Sequence, residues 1–298
     1  MTINRLIFRS IKFFRNLNSG VVLGLALSTA ILIGALVVGD SVRYSLEQIV
    51  QQRLGKTSQV ITAGERLFSK QLSTGISRQI NTETTALLRS NGFGVIDGGA
   101  RRVNQLAVWG VDPDFGNFGE DPEAFQLKDN EAAINEQVAQ IAGLKIGDEF
   151  QLRINKLNTF PANTPFVSVT ENSVSAQVKI VRILTANQLG NFQLQNSQSA
   201  PKNVFLNLNW LNKQMKLQDK ANVILIDQKY SGSDLPKILQ QNWRVEDLNL
   251  KIREDSLLNH TELISDRVFV EPSVEVFCRD RFPGSIGANL PCLRGAHS

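Results

Sequence analysis

The chain has 298 residues, 42% of them hydrophobic and 20% charged, with a formal net charge of +4 and a mean hydropathy of -0.12. This is a globular composition with a sizeable core, enough for one or two domains. The positive surplus is local: Arg5, Arg9, Lys12 and Arg15 fall in the first nineteen residues with no acid among them. The pI of 9.1 therefore gives no support to a nucleic-acid partner. Cys278 and Cys292 are the only cysteines and lie in the last 21 residues, so no C-x-x-C pair or Cys/His cluster exists and a structural zinc site is excluded. A Cys278–Cys292 disulfide and two unpaired thiols both remain open.

The first element is "INRLIFRSIKFFRNL". At helical spacing Leu6, Phe13 and Leu17 share one side, while Arg5, Arg9, Lys12 and Arg15 gather on the other. A basic amphipathic helix of this kind lies in the membrane interface, its cations near anionic headgroups. A plain topogenic flank is the alternative. Residues 20–39 then run twenty positions without a charge, about 30 Å as a helix, which matches the hydrocarbon thickness of a bilayer. A cleaved signal has a shorter apolar core of about 7–15 residues and an A-x-A-like site, and "LVVGDS" offers none. A buried soluble helix would carry a polar stripe, and only Ser28 and Thr29 interrupt this one. The reading is a permanent anchor, with a signal peptide and a core helix as the alternatives. The basic flank before the span and the mixed Asp40, Arg43 and Glu47 after it put the N-terminus in the cytoplasm and the remainder outside.

Small residues recur along the span. Gly20, Gly24 and Ser28 form one row, and Ala26, Ala30 and Gly34 a second. Such rows let helix backbones approach closely in lipid, although Gly and Ala are also simply common there. Beyond Asp40, Val42, Leu46, Ile49 and Val50 continue one helical face up to Gly55, which predicts a stalk.

The exterior part reads as mixed α+β. "SQVITAG" predicts a strand, 76–91 a surface helix, "VNQLAVWGVD" a strand and 112–127 a turn-rich loop. Residues 130–143 predict a helix closed by Gly143, followed by a Gly-Asp turn into "EFQLRI". Residues 156–176 read as a long loop or hairpin insertion, and 177–184 as a strand. Residues 186–202 are a second soft loop. "NVFLNLN" predicts a strand before the helix "WLNKQMKL", and "ANVILID" a buried strand. A helix over 233–243 starts at Ser233, and "LNLKIRED" and "DRVFVE" are further strands. No internal repeat is visible.

The chemistry of common active sites is missing. There is no G-x-x-x-x-G-K-[ST], no G-x-S-x-G and no H-E-x-x-H, and the only histidines are His260 and His297. Asp112 with Asp114, and Glu120 with Asp121, read as solvated turn residues. An extracytoplasmic hydrolase would have to rest on one of these pairs or on His260. Asn259-His260-Thr261 matches a glycosylation sequon. The expectation is a non-enzyme with no catalytic residues, cofactor or metal.

Several segments resemble, in order, the MacB/FtsX-type permease family of ABC transporters. "ALVVGDSVRYSLEQIVQQRLGKT" resembles its first membrane helix and stalk, and "VWGVDPDFGNFG" a recurring Gly-Val-Asp-x-x-Phe segment. "NEAAINEQVAQIAGLKIGDEFQLRI" is similar to a helix-to-strand passage in which Gly-Asp opens a barrel-like strand. "NVFLNLNWLNKQMKL" and "DRVFVEP" match two more segments. The resemblance covers residues 1–275. It implies a cytoplasmic interfacial helix (1–19), a transmembrane helix (20–39), a stalk (40–56) and a periplasmic α+β domain with a strand-rich, barrel-like part (57–275). It also implies an inner-membrane location and pairing with a second permease or permease half. ATP is then bound by separate cytoplasmic ATPase subunits, whose closure is relayed to the exterior domain. Export, lipoprotein extraction and cell-wall hydrolase control are the activities of such complexes. The alternative is a single-pass anchored or secreted binding module without ATPase coupling.

The departure from the family is that no second apolar run of fifteen residues follows the stalk. From about Val276 the text turns into "VFCRDRFPGSIGANLPCLRGAHS". Residues 276–298 thus read as an irregular tail of the kind a frame shift leaves. A truncated permease and a natively short chain both stay open.

Overall fold

The apolar run is helical from end to end. In the computed structural model, which describes residues 3–64, 66–157, 173–195, 199–227, 230, 232, 234–243, 250–255 and 260–265, the chain divides into two units, Met1–Gln51 and Gln52–Ser298. The first holds α1 (Ile3–Phe13) and most of α2 (Arg15–Leu54). Only Phe14 separates them, and backbone bonding carries through it: Phe14 N–H donates to Ser10 O at 3.0 Å and Asn18 N–H to Phe14 O at 2.9 Å. No residue of α2 is buried. With 40 residues it is about 60 Å long, roughly twice a bilayer's hydrocarbon thickness.

The second unit begins with β1 (Thr57–Thr62), β2 (Phe68–Ser69), α3 (Gln71–Ile80), β3 (Thr84–Ile96) and β4 (Arg101–Val111). A 3-10 turn (Pro113–Phe118) leads to β5 (Glu131–Asn135), α4 (Glu136–Ala142), β6 (Glu149–Asn155) and β7 (Ser173–Leu184). Then come β8 (Asn203–Asn207), α5 (Leu208–Gln214), β9 (Lys220–Ala221), β10 (Val223–Asp227) and α6 (Leu235–Asn242). β11 (Leu250–Asp255) and β12 (His260–Ser265) form a separate antiparallel pair.

The main sheet runs β1-β10-β3-β4-β8-β5-β7-β6 and closes by a second pairing of β3 with β6. Six strands thereby form a barrel, and β1 and β10 extend from it. β3 makes this possible by its length of 13 residues: Thr84–Leu87 pair with β10, and Gly92–Val95 pair with β6. Three consecutive residues of β3 enter three different cores. Leu88 joins the barrel interior with Val108, Phe150, Leu152, Ile154 and Leu206. Leu87 joins Trp109, Phe115, Phe118, Phe125, Phe192 and Phe205 outside it. Ala86 packs with Leu72 and Ile76 of α3 and with Ile224 and Ile226 of β10. Alternation along β6, with Phe150, Leu152 and Ile154 buried between exposed neighbours, is the period-2 pattern of a strand with one face inward.

Several expectations change. Residues 76–91 are not one helix. Asn81 adopts φ 51 and ends α3, and the β-branched Thr84-Thr85 open a strand buried on both faces. Residues 130–143 split into β5 and α4, because the Asn135 side chain accepts from Val138 N–H at 3.2 Å and caps the helix there. Ala132 and Ala133, strong helix formers in isolation, are buried in the sheet instead. Residues 112–127 are the expected turn-rich segment, but it is packed into the core, with Phe115, Phe118 and Phe125 all buried. Ser173–Ala176 belong to β7, while the rest of the expected insertion at 158–172 lies outside the described residues. So do Ser233, 266–271 and the tail with Cys278 and Cys292. β12 was not anticipated.

Buried asparagines hold the irregular segments in place. Asn203 accepts from Trp109 Nε1 at 3.2 Å and donates to Gly190 O and Phe192 O. Asn222 accepts from Arg89 N–H at 2.7 Å and donates to Gly64 O and Arg89 O. Each supplies to buried backbone the partners that water would otherwise give.

Asp112 is likewise not a solvated turn residue. It is buried, and its Oδ2 meets Lys70 Nζ at 2.7 Å. Burial raises its pKa more than the Lys70 hydrogen bond and charge lower it, and Asp114 and Asp219 raise it further. Ionising Asp112 thus costs more in the folded chain than in the unfolded one. The stabilisation from this site is full below the unfolded pKa near 3.9 and is lost as pH rises through the higher folded value. In the full chain in detergent, the urea-unfolding free energy of the native protein relative to Asp112→Asn will rise from neutral pH toward about pH 4. A relative advantage that shrinks over that range contradicts the assignment.

Candidate functional site

The described features that bear on function are the apolar helix and, within the barrel unit, the turn against which Gly55 packs. α2 is the one candidate span among the described residues, with a mean hydropathy of 2.7 in its most apolar window, and it qualifies by length and composition. Gly20, Gly24 and Ser28 lie along one row of this helix, and Ala26, Ala30 and Gly34 along another. All six are exposed. A Cβ built on Gly20, Gly24 or Gly34 would meet no atom within 4 Å outside its own helix. Thr29 turns its hydroxyl onto Leu25 O of the same helix, which satisfies it without a partner segment. Arg5, Arg9 and Lys12 lie on α1, Arg15 opens α2, and all four are exposed. Phe13 and Phe14 meet edge-to-face at the break, centroids 4.9 Å apart.

The last turn of α2 belongs to the barrel unit. There Leu54 packs against the Phe115–Phe118–Phe125 core. Gly55 has φ +55 and ends the helix in the left-handed conformation that favours glycine. A Cβ on it would lie 2.1 Å from Phe118 O and 2.8 Å from Leu189 Cδ2. Lys56 N–H donates to the same Phe118 O at 2.8 Å, and Lys56 Nζ to Asn117 O at 3.0 Å. Gly55 was expected only as a helix stop. Its close approach to the Pro113–Phe118 turn was missed, and the signal was three phenylalanines in a supposed loop, since large apolar residues in series mark burial.

Neither acidic pair shares a single environment. Asp112 is bonded to Lys70. Asp121 lies 3.9 Å from Arg182, accepts from Gln188 Nε2 at 3.1 Å and caps the following turn through Glu123 N–H. Asp114 and Glu120 are exposed. His260 sits on β12 opposite Asp255, while Asn259 and His297 lie outside the described residues. Among the described residues no three metal-ligating side chains gather.

No family model matches the chain, and no curated protein matches it. Solved structures do. The periplasmic region of MacB from Actinobacillus actinomycetemcomitans is similar at 8% identity and a TM-score of 0.41, over 80% of this chain and 100% of that one. A domain of a putative permease protein from Porphyromonas gingivalis shares 12% identity at a TM-score of 0.36, over 70% of this chain and 85% of that one. The extracellular domain of the noncanonic ABC-type transporter YknZ from Gram-positive bacteria shares 8% identity at a TM-score of 0.37, over 70% and 100%. All three structural neighbours are exterior or permease domains of transport proteins. With every TM-score below 0.5, the likeness is a finding about those chains, and the functional reading rests on this chain's own features.

The junction generates a prediction. Gly55→Ala combines a left-handed backbone with a collision against backbone, whereas Gly64→Ala has a similar φ of +64 and open space around it. Each bears the backbone cost of about 1 kcal/mol. Gly55→Ala will lose about 1–3 kcal/mol more from the contact, read by urea unfolding of the full chain in detergent. Equal losses in the two variants would show that the approach to Phe118 carries no energy.

Proposed function

We propose that this chain is a membrane-anchored permease subunit of the MacB/FtsX type, a mechanical and binding element rather than an enzyme. The observation that carries the reading is α2. One unbroken helix of 40 residues has an uncharged stretch over 20–39 that fits a bilayer and a polar stretch over 40–54 beyond it. It ends in a glycine packed directly onto a buried turn of the barrel unit. A cleaved leader has no use for such a continuation or for a fitted joint at its far end. The ordered sequence resemblance over residues 1–275 supports the same reading.

In this role the uncharged part of α2 spans the inner membrane with the N-terminus cytoplasmic, and the barrel unit works outside. α1 lies in the cytoplasmic interface, with Arg5, Arg9, Lys12 and Arg15 toward anionic headgroups. The rows Gly20, Gly24, Ser28 and Ala26, Ala30, Gly34 pack against membrane helices of a second permease or permease half. The chain binds no cofactor itself. ATP is bound by separate cytoplasmic subunits, and their motion passes along α2 to the exterior unit for export, lipoprotein extraction or hydrolase control.

The test is made on the full chain in its native membranes. It will resist alkaline carbonate extraction, keep an intact N-terminus by mass spectrometry and expose the barrel unit to protease added outside spheroplasts. Gly24→Leu will lower crosslinking to partner membrane segments, and the purified complex will contain a nucleotide-binding subunit. Release of the barrel unit as a soluble fragment lacking residues 1–39 would overturn the reading in favour of a secreted module.

A further inference from the structure

The outer face of the barrel carries a feature that anchoring and mechanical relay do not use. It lies on the seam where β3 pairs with β6 to close the barrel. Phe93 stands directly opposite Arg153 in that pairing. The Arg153 guanidinium carbon is 5.9 Å from the centre of the Phe93 ring, and that of Arg102, on β4, is 3.8 Å from it. Two cations from the strands on either side of β3 thus share one aromatic ring. Further along the same face of β3, Arg89 lies over Trp109 at 5.5 Å.

The backbone beneath is closely packed. Gly92 and Gly94 flank Phe93, and both point inward. A Cβ on Gly92 would lie 2.4 Å from Arg153 O, and one on Gly94 3.3 Å from the Phe150 ring. β3 and β6 therefore approach closely just where the ring and the arginines project outward. A guanidinium stacked on a ring has lost most of its rotational freedom and keeps its N–H edge directed away from the ring, ready for a two-pronged bond to a carboxylate.

Charge decides what such a surface takes. Arg102 and Arg153 are both exposed, and among the described residues neither has a carboxylate partner. The ion pairs involve other groups, such as Arg101 with Asp97 and Arg182 with Asp121. Like charges on the two strands that flank β3 repel across it, and the ring offsets only part of that cost. An anion between them removes the rest. Phe93 is half-buried beneath the two guanidiniums and is not an exposed apolar anchor. A lipid surface would need such an anchor to hold a folded unit by its side, so the surface suits a protein partner. We propose that Arg102 and Arg153, splinted on Phe93, form a docking site for an acidic segment of a partner protein outside the membrane. The inference goes beyond the permease reading and does not depend on it.

The probe is fluorescein-labelled poly-L-glutamate, titrated into the full chain in neutral detergent at low salt. Arg5, Arg9, Lys12 and Arg15 are changed to Gln in every variant, so that the basic α1 cannot bind the probe. In that background the native seam will bind saturably and more weakly as salt rises. Arg102→Gln with Arg153→Gln will weaken binding on the order of tenfold. Arg102→Lys with Arg153→Lys keeps the charge but loses the fork, and will fall between the two. If the Gln pair lowers only the thermal midpoint and leaves peptide binding unchanged, the three side chains are a staple of the seam and the proposal fails. It also fails if anionic vesicles bind with the same dependence on Arg102 and Arg153 while poly-L-glutamate does not bind.

Discussion

A backbone crossing hydrocarbon has no water to satisfy its N–H and C=O groups, so each must find its partner within the segment. An uncharged run of the length of residues 20–39 meets that constraint as a helix. The distinctive point in this chain is that the helix continues beyond the apolar run. From Asp40 to Leu54 the chain turns polar, yet the hydrogen-bond ladder runs on to the last turn before Gly55. Nothing in the stretch interrupts it: there is no proline, and Val42, Leu46, Ile49 and Val50 recur at helical spacing. The ladder stops where Gly55 turns left-handed against Phe118. The polar stretch of α2 and the packing of Gly55 on the Phe118 turn are the two features that a simple anchor would lack.

The barrel unit meets a different demand, the unpaired edge. A sheet that exposes its edge strands invites wrong pairing. Six of its strands remove the problem by closure, through the pairing of β3 with both β4 and β6. This asks much of β3, which must serve β10 at one end and β6 at the other. It does so by placing Ala86, Leu87 and Leu88 in three separate cores. Gly92 keeps the seam close, because any side chain there would strike Arg153 O. The aromatic core outside the barrel, built on Phe115, Phe118 and Phe125, then gives the Pro113–Phe118 turn a fixed position. That same turn receives Gly55 and Lys56.

Much of this was legible in the sequence where one physical signal acted alone. The uncharged run gave the helix, Gly55 and Gly143 gave two helix ends, and the alternation of Phe150, Leu152 and Ile154 gave β6. The errors fell where two signals competed. Ile76, Ile80, Leu87 and Leu88 fit helical spacing, but Asn81 breaks the helix and Leu87 and Leu88 face opposite cores of a doubly buried strand. Ala132 and Ala133 favour a helix locally, and the barrel overrides them. Asp112 looked like a turn residue because its partner, Lys70, lies far away in sequence and only the fold brings them together. The pairing of Arg102 and Arg153 over Phe93 was invisible for the same reason, since it depends on strand register, which no single sequence displays.

The claim that most needs a direct measurement is the continuity of α2. Backbone hydrogen exchange of the full chain in lipid nanodiscs, resolved along residues 16–64, reads it without a variant. The account predicts that residues 20–39 stay protected by lipid and helix together. Residues 41–54 will exchange faster than these but well below the rate of unstructured chain, with protection ending at Gly55. Residues 41–54 exchanging at the unstructured rate would contradict it, because the stretch would then be a flexible tether and not a continuation of the helix.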